Sequence, residues 1–158
     1  VEMLLLAGVA SDAAVARETL IERWEGGGVR EVFRDNLALQ GGDVRILDDP
    51  SLLGCAPCLL PVEALQAGYV VDVDPLALGH VVVDLGGGRK QPADDVDPHV
   101  GVVLCKTQGD QVKAGDVLAL VHGRTDVAAR AAAQDVLTAM PIGAEPVARR
   151  VLIKQRMA

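Results

Sequence analysis

The sequence predicts an α+β fold, and three observations predict it. Apolar residues in the first forty positions recur at helical spacing, in two segments that carry their own start and stop signals. From about residue 50 the pattern changes to short apolar runs bounded by Gly, Pro and Asp, as expected of strands and turns. A single strongly amphipathic stretch returns at residues 125–140. Helices first and mostly strands later argue against a regular βαβ alternation. A chain of 158 residues is long enough to stabilise one core without covalent staples.

The opening VEMLLLAG lacks an initiator methionine and starts inside an apolar stretch, so it reads as a helix cut through in a segment of a longer protein. In ASDAAVARETLIERWE, Ser11 and Asp12 offer an N-cap, and Ala13, Ala16, Leu20 and Trp24 share a face. The glycines at 26–28 end that helix and begin the next. Val29, Val32, Phe33, Asn36 and Leu37 follow the i, i+3, i+4, i+7, i+8 pattern, and Gly41-Gly42 stop it. CLLPVEAL and GYVVDVD then read as strands. Residues 75–85 divide the signals, because Val81–Val83 favour a strand by propensity. Asp74 as N-cap, Pro75 at the first helical position and Gly86 at the C-cap favour a helix, and the punctuation decides for helix. HVGVVLCK and DVLALVH read as strands, TDVAARAAAQDVLTAM as a helix with Val127, Ala131, Val136, Leu137 and Met140 inward, and ARRVLIKQ (148–155) as a closing strand.

Composition excludes several functions. A net charge of −7 repels nucleic-acid phosphates, and Trp24, Phe33 and Tyr69 are the only aromatic residues for stacking on bases. The longest apolar runs, such as Met3–Ala7 and Val81–Val83, fall far short of the roughly 18–20 residues of a membrane span, and no secretory leader is apparent. Neither nucleic acid nor membrane is expected as a partner. Three cysteines, Cys55, Cys58 and Cys105, are too few and odd in number for a disulfide framework, which suits a reducing cytoplasm.

The densest chemistry lies in LGGGRKQPADDVDPHVG, residues 85–101. Gly86–Gly88 follow the predicted helix, at its negative end, whereas a phosphate cradle needs a helix N-terminus. Lys90 is followed by Gln91, so the G-x-x-x-x-G-K-[ST] pattern is absent, and Arg89 and Lys90 read as answering the helix end and nearby carboxylates. Asp94, Asp95, Asp97 and His99 could ligate a hard cation, but the glycine and glutamate of a calcium loop are missing and His99 alone is too little for zinc. An exposed turn, with aspartates capping backbone amides and Pro92 and Pro98 fixing its bends, is the preferred reading.

Cys55-Ala-Pro-Cys58 raises a redox or zinc question. A redox pair wants a helix N-terminus, and a zinc ribbon wants a second pair, so two small apolar side chains on a loop are expected instead. His80 and His122 sit in apolar runs and read as packed or interfacial. No catalytic, cofactor-binding or metal-ligating residue is assigned from the residues alone. GDQVKAGDVLALV places two Gly-Asp turns around Val112, a pattern that recurs in the flattened barrels of biotinyl and lipoyl carrier domains. A stand-alone carrier module of that type is the alternative reading, but Lys90 lacks the expected carrier-lysine setting.

The order of the motifs resembles a known family. VEMLLLAG with its helix, VREVFRDNLALQGGD, and AGYVVDVDPLALGHVVVDLGGGRKQPADDVDPHVGVVLCKTQGDQVKAGDVLALVHG are similar to the C-terminal part of the thymidine and pyrimidine-nucleoside phosphorylases. The ordered series is ALG, six residues, GGGR, D-x-x-D-x-x-V-G and the GD-x-V-x-x-G turn, ending at Val121-His122. The resemblance covers nearly the whole chain but only the last third of such an enzyme. It implies reversible phosphorolysis of thymidine to thymine and 2-deoxyribose 1-phosphate, by a cytoplasmic homodimer with no cofactor. It also implies that residues 1–49 complete a large α/β domain and residues 50–158 form its C-terminal lobe, with flattened-barrel hairpins. The family's Lys-His-Ser-Thr-Gly-Gly phosphate loop and base-binding residues are absent, so the remainder of the enzyme is the implied partner and this segment is structural.

Overall fold

The change of regime near residue 50 is a change of structural unit. The computed structural model describes residues 1–151 and 153–155, and the chain divides into Val1–Leu53 and Gly54–Ala158.

The first unit is helical. Its elements are α1 (Glu2–Leu6), α2 (Ala13–Glu25) and α3 (Gly28–Leu39), followed by two short 3-10 turns at Val44–Leu47 and Pro50–Leu53. Asp12 is the expected N-cap of α2, accepting from the amides of Ala14 and Val15 at 2.9 and 3.0 Å. After α3, the amide of Gly41 donates to Ala38 O and that of Gly42 to Leu37 O, satisfying the last carbonyls as a helix stop should. The 3-10 segment is tied to α3 by Arg30, whose Nη2 reaches Asp48 Oδ1 at 2.5 Å and donates to Leu47 O at 2.7 Å.

The second unit contains two three-stranded antiparallel sheets among the described residues. In the first, β5 (Val117–Gly123) is central between β1 (Cys58–Glu63) and β3 (Gly101–Leu104). Pairing runs from Cys58 opposite Gly123 to Pro61 opposite Leu120, with an irregularity at Val62/Glu63. Pro61 is tolerated because β1 is an edge strand. The second sheet has β2 (Gly68–Val70) between β4 (Gln111–Val112) and β6 (Ile142–Gly143). Two helices, α4 (Pro75–Val82) and α5 (Asp126–Ala139), pack against each other and the first sheet.

The core follows from this layering. Leu118, Ala119 and Val121 of β5 are fully buried with Val62, Val70, Val112, Val136 and Met140. The buried face of α5 is Ala129, Ala132, Ala133, Val136 and Ala139, so small side chains let the helix approach the sheet closely. This corrects the sequence expectation for Val127 and Ala131, both of which are exposed. Val136 and Met140 are buried as expected, and Leu137 packs at the core margin.

The two Gly-Asp motifs form the same turn twice. In Thr107-Gln-Gly-Asp110, the Asp110 amide donates to Thr107 O at 3.1 Å, and Asp110 Oδ2 accepts from the Thr107 amide at 2.8 Å. In Lys113-Ala-Gly-Asp116, the equivalent distances are 3.1 and 3.0 Å. Gly109 and Gly115, at φ of 88° and 87°, supply the left-handed conformation at the third position. Each turn then exchanges two backbone bonds with a strand end. Gly109 and Asp110 pair with Val70, and Gly115 and Asp116 pair with Ala64, all at 2.8–2.9 Å.

The helix expected over 75–85 is present. Asp74 Oδ1 caps the amides of Leu76 and Ala77, Pro75 takes the first turn, and the chain continues through a π-helical turn at Val83–Gly87. The closing strand expected over 148–155 is not found. Residues 148–151 and 153–155 belong to no regular element, and Leu152 lies outside the described residues. Val147 and Arg149 instead lie against Gly109, and Arg149 pairs with Asp110.

The turns differ in one respect that can be measured. A Cβ at Gly109 would stand 2.7 Å from Val147 O and 3.0 Å from Arg149 Cγ, whereas one at Gly115 meets nothing within 4 Å. Gly115→Ala is expected to cost only the left-handed penalty of about 1–2 kcal/mol. Gly109→Ala is expected to cost distinctly more, as read by urea denaturation of the two variants.

Candidate functional site

The glycines of residues 85–101 serve the backbone. Gly86 has φ of 98° within the π-helical turn that ends α4, a conformation L side chains rarely adopt. A Cβ on Gly87 would stand 2.8 Å from Val82 Cγ1 and 3.3 Å from Val100 O, and one on Gly88 would stand 2.7 Å from Val83 Cγ2. The three glycines thus let the chain leave the helix while lying against it. Their carbonyl end is engaged, since Gly86 O accepts from the Asp97 amide at 2.9 Å. A helix C-terminus with carbonyls outward has the wrong polarity to cradle phosphate.

Lys90, Asp94, Asp97 and His99 are held in ion pairs and turns. Lys90 Nζ lies 2.5 Å from Asp84 Oδ1, and this ammonium holds the Asp84 carboxyl below the usual carboxylate range. Asp94 Oδ2 accepts from the amides of Lys90 and Gln91 at 3.0 and 2.9 Å, an aspartate turn of the expected kind. Asp97 bonds to Arg124 through one oxygen, while the other meets the His99 amide and the His99 Nδ1, each at 3.0 Å. Arg89 and Asp95 are exposed. Among the described residues, no three His, Cys, Asp or Glu side chains are grouped to hold a metal ion.

The thiols and remaining histidines lie on different elements. Cys58 opens β1 opposite Gly123 rather than lying on a loop, and Cys55 is exposed before it. Neither stands at a helix N-terminus, the setting that stabilises a reactive thiolate. Cys105 is exposed just past β3. His80, expected to be packed or interfacial, is exposed on α4, a helix whose buried residues are Leu78 and Val81. His122 is half-buried in β5. Lys90 sits on a loop after the π-helical turn, away from the hairpin tip a carrier lysine would occupy.

A cavity of about 350 Å³ lies between Asp72, Thr107, Gln108, Arg149 and Arg150. Sequence reading did not single out these residues, since only the tertiary fold brings the chain beyond β6 to the first Gly-Asp turn. Its guanidinium groups face acids of the same chain. Arg150 Nη2 is 3.0 Å from Asp72 Oδ1, and Arg149 pairs with Asp110. Gln108 Nε2 donates to Val71 O at 3.0 Å, and Gln108 Oε1 is buried without a hydrogen-bond partner among the described residues. Each of the two guanidinium groups is thus paired with an acid of the same chain.

Asp97 gives the stretch its measurable pH dependence. The Arg124 guanidinium, then the His99 amide, hold its carboxyl well below the usual range. A carboxylate with a depressed folded-state pKa stabilises the fold above its unfolded pKa of about 3.9, and loses that contribution as pH falls towards the folded value. The stability gap between the parent chain and Asp97→Asn is therefore expected to be full above about pH 5 and to narrow progressively as pH falls from about 4 to about 2. Urea titrations across that range check it. Because Arg124 is exposed, the gap is also expected to shrink in high salt.

Comparison with known proteins adds what the geometry leaves open. Residues 69–143, running from β2 to β6, match the family model described as the pyrimidine nucleoside phosphorylase C-terminal domain. The chain is 40% identical over 129 residues to the thymidine phosphorylase of Burkholderia cenocepacia (strain HI2424), covering 81% of this chain and 30% of that protein. It is 35% identical over 156 residues to the thymidine phosphorylase of Mesorhizobium japonicum, covering 98% and 36%. It is 36% identical over 124 residues to the pyrimidine-nucleoside phosphorylase of Geobacillus stearothermophilus, covering 78% and 29%. The chain thus spans about a third of the length of the curated relatives it matches. With its β2–β6 region matched to the family's C-terminal domain, this chain belongs to the thymidine and pyrimidine-nucleoside phosphorylase family, as a C-terminal portion of it.

Proposed function

We propose that this chain is the structural C-terminal part of a thymidine (pyrimidine-nucleoside) phosphorylase. The whole enzyme would reversibly convert thymidine and phosphate to thymine and 2-deoxyribose 1-phosphate. The observation that carries this reading is the match of residues 69–143 to the family's C-terminal domain, backed by thymidine phosphorylases 35–40% identical over most of the chain.

Phosphorolysis needs a site for the attacking anion and groups that stabilise charge on the departing base. Lys90, Asp94 and Asp97 of 85–101 are engaged in turns and ion pairs, while Arg89 and Asp95 are exposed. This supports placing the substrate-binding groups on the remainder of the enzyme, with no catalytic, cofactor-binding or metal-ligating residue supplied here. In the same reading, residues 1–49 complete the large α/β domain and residues 50–158 form the C-terminal lobe of a cytoplasmic homodimer. The duplicated Gly-Asp turns support the likeness of that lobe's hairpins to biotinyl and lipoyl domains. That likeness concerns the turns alone, because Lys90 is paired with Asp84 on a loop.

The test compares the 158-residue chain with the full-length enzyme, each given thymidine and phosphate. The expected result is thymine release by the full-length enzyme and none by the chain alone. Turnover by the chain alone would overturn the assignment of all catalytic groups to the remainder.

A further inference from the structure

The chain beyond β6 is fastened by side chains rather than by its backbone. Among the described residues, 144–151 make no backbone–backbone hydrogen bond and enter no regular element. Their apolar anchoring is slight, since Val147 is half-buried and Val151 is 72% exposed. Two ion pairs to acids on different elements hold them instead. Arg149 pairs with Asp110 of the first Gly-Asp turn, and Arg150 Nη2 reaches Asp72 Oδ1, just past β2, at 3.0 Å. Gly109, having no side chain, lets Val147 and Arg149 lie against that turn. The two arginines also line the cavity of about 350 Å³, together with Asp72, Val73, Thr107 and Gln108.

We propose that residues 147–151 are a charge-latched strap over this cavity, which swings away without unfolding of the second unit when the two ion pairs are broken. The arginine side chains are 69% and 64% exposed, and ion pairs so open to solvent are individually weak and screened by salt. A segment with few apolar contacts and no backbone ladder opens at far lower free energy than an enclosed strand such as β5, whose Leu118 and Val121 are fully buried. Closure is opposed from beneath. Gln108 Oε1 is enclosed without a hydrogen-bond partner among the described residues, an unfavourable state that water admitted to the cavity relieves. Opening therefore presents Asp72, Asp110 and Gln108 to solvent as a group of acceptors that the chain's own arginines otherwise cover.

Trypsin reads the strap directly, because it cleaves after arginine and needs the chain clear of the surface. Cleavage after Arg149 and Arg150 of the 158-residue chain is followed by mass spectrometry. Asp72→Asn with Asp110→Asn removes both latching charges and keeps both cleavage sites, and an asparagine oxygen can still accept from the Thr107 amide. Cleavage is expected to speed up by about 3- to 30-fold, the range for two exposed ion pairs lost together. Asp126→Asn, which breaks an exposed pair on α5, is expected to leave it unchanged. Raising salt to about 0.5 M is expected to speed cleavage of the parent chain and not of the double variant, because screening acts on the latch alone. A free peptide spanning 144–155 corrects for the effect of salt on trypsin itself. Amide exchange of β5, measured alongside, is expected to stay unchanged in every case. If the double variant loses that protection, the salt response of the parent chain decides. The proposal is overturned if the corrected cleavage of the parent chain ignores salt, or if the folded double variant is cut no faster. It is also overturned if strap cleavage rises only together with β5 exchange, since the segment would then open only by unfolding.

Discussion

The second unit depends on one strand. β5 is hydrogen-bonded along both edges, to β1 and β3, and its Leu118, Ala119 and Val121 are fully excluded from solvent. A strand enclosed in this way cannot slip register without exposing apolar side chains or unpairing backbone groups. Everything around it adapts to that constraint. The helix that follows uses alanines where it meets the sheet, and the turn that precedes it hands its backbone to Ala64 at the end of β1.

The duplicated turn extends the same logic to the second sheet. Thr107–Asp110 docks on Val70 and Lys113–Asp116 docks on Ala64, so one local device anchors both ends of the short β4 segment. Val112 between them is buried, which places a core residue at the middle of the repeat. Residues 85–101 act in a comparable way one layer out. Glycines let the chain leave α4, and aspartates close the turns that return it to β3. The concentration of charge there is the chemistry of a well-made connection. It does not converge on a common point.

Much of this was legible in the residues, where the signal was local. Asp74, Pro75 and Gly86 marked α4 correctly against the strand propensity of Val81–Val83, because caps act on backbone groups that every helix end must satisfy. The aspartate caps at Asp12 and Asp94 were legible for the same reason. What escaped was tertiary. On α5, Val136 and Met140 lie inward as expected while Val127 and Ala131 do not, because the close approach to the sheet is made by Ala129, Ala132 and Ala133. Strands β4 and β6 are two residues each, too short to show any alternation. The pairing of Asp97 with Arg124 joins residues 27 apart, and no periodicity reports such a contact. The strand expected over 148–155 rested on its apolar centre, yet Arg149 and Arg150 go to Asp110 and Asp72 and residues 148–151 stay irregular. On the candidate site, the family's ordered motifs were readable, while the cavity beside Gln108 was not.

The two units therefore stand in different physical positions, one with an enclosed core and one with its largest apolar side chains uncovered. Amide hydrogen exchange on the 158-residue chain tests that distinction most directly, because protection reports the free energy of opening segment by segment. The amides of β5 are expected to exchange slowest, at the rate of global unfolding of the second unit, and those of α2 and α3 far faster. Equal protection of α2, α3 and β5 in the isolated chain would contradict the account.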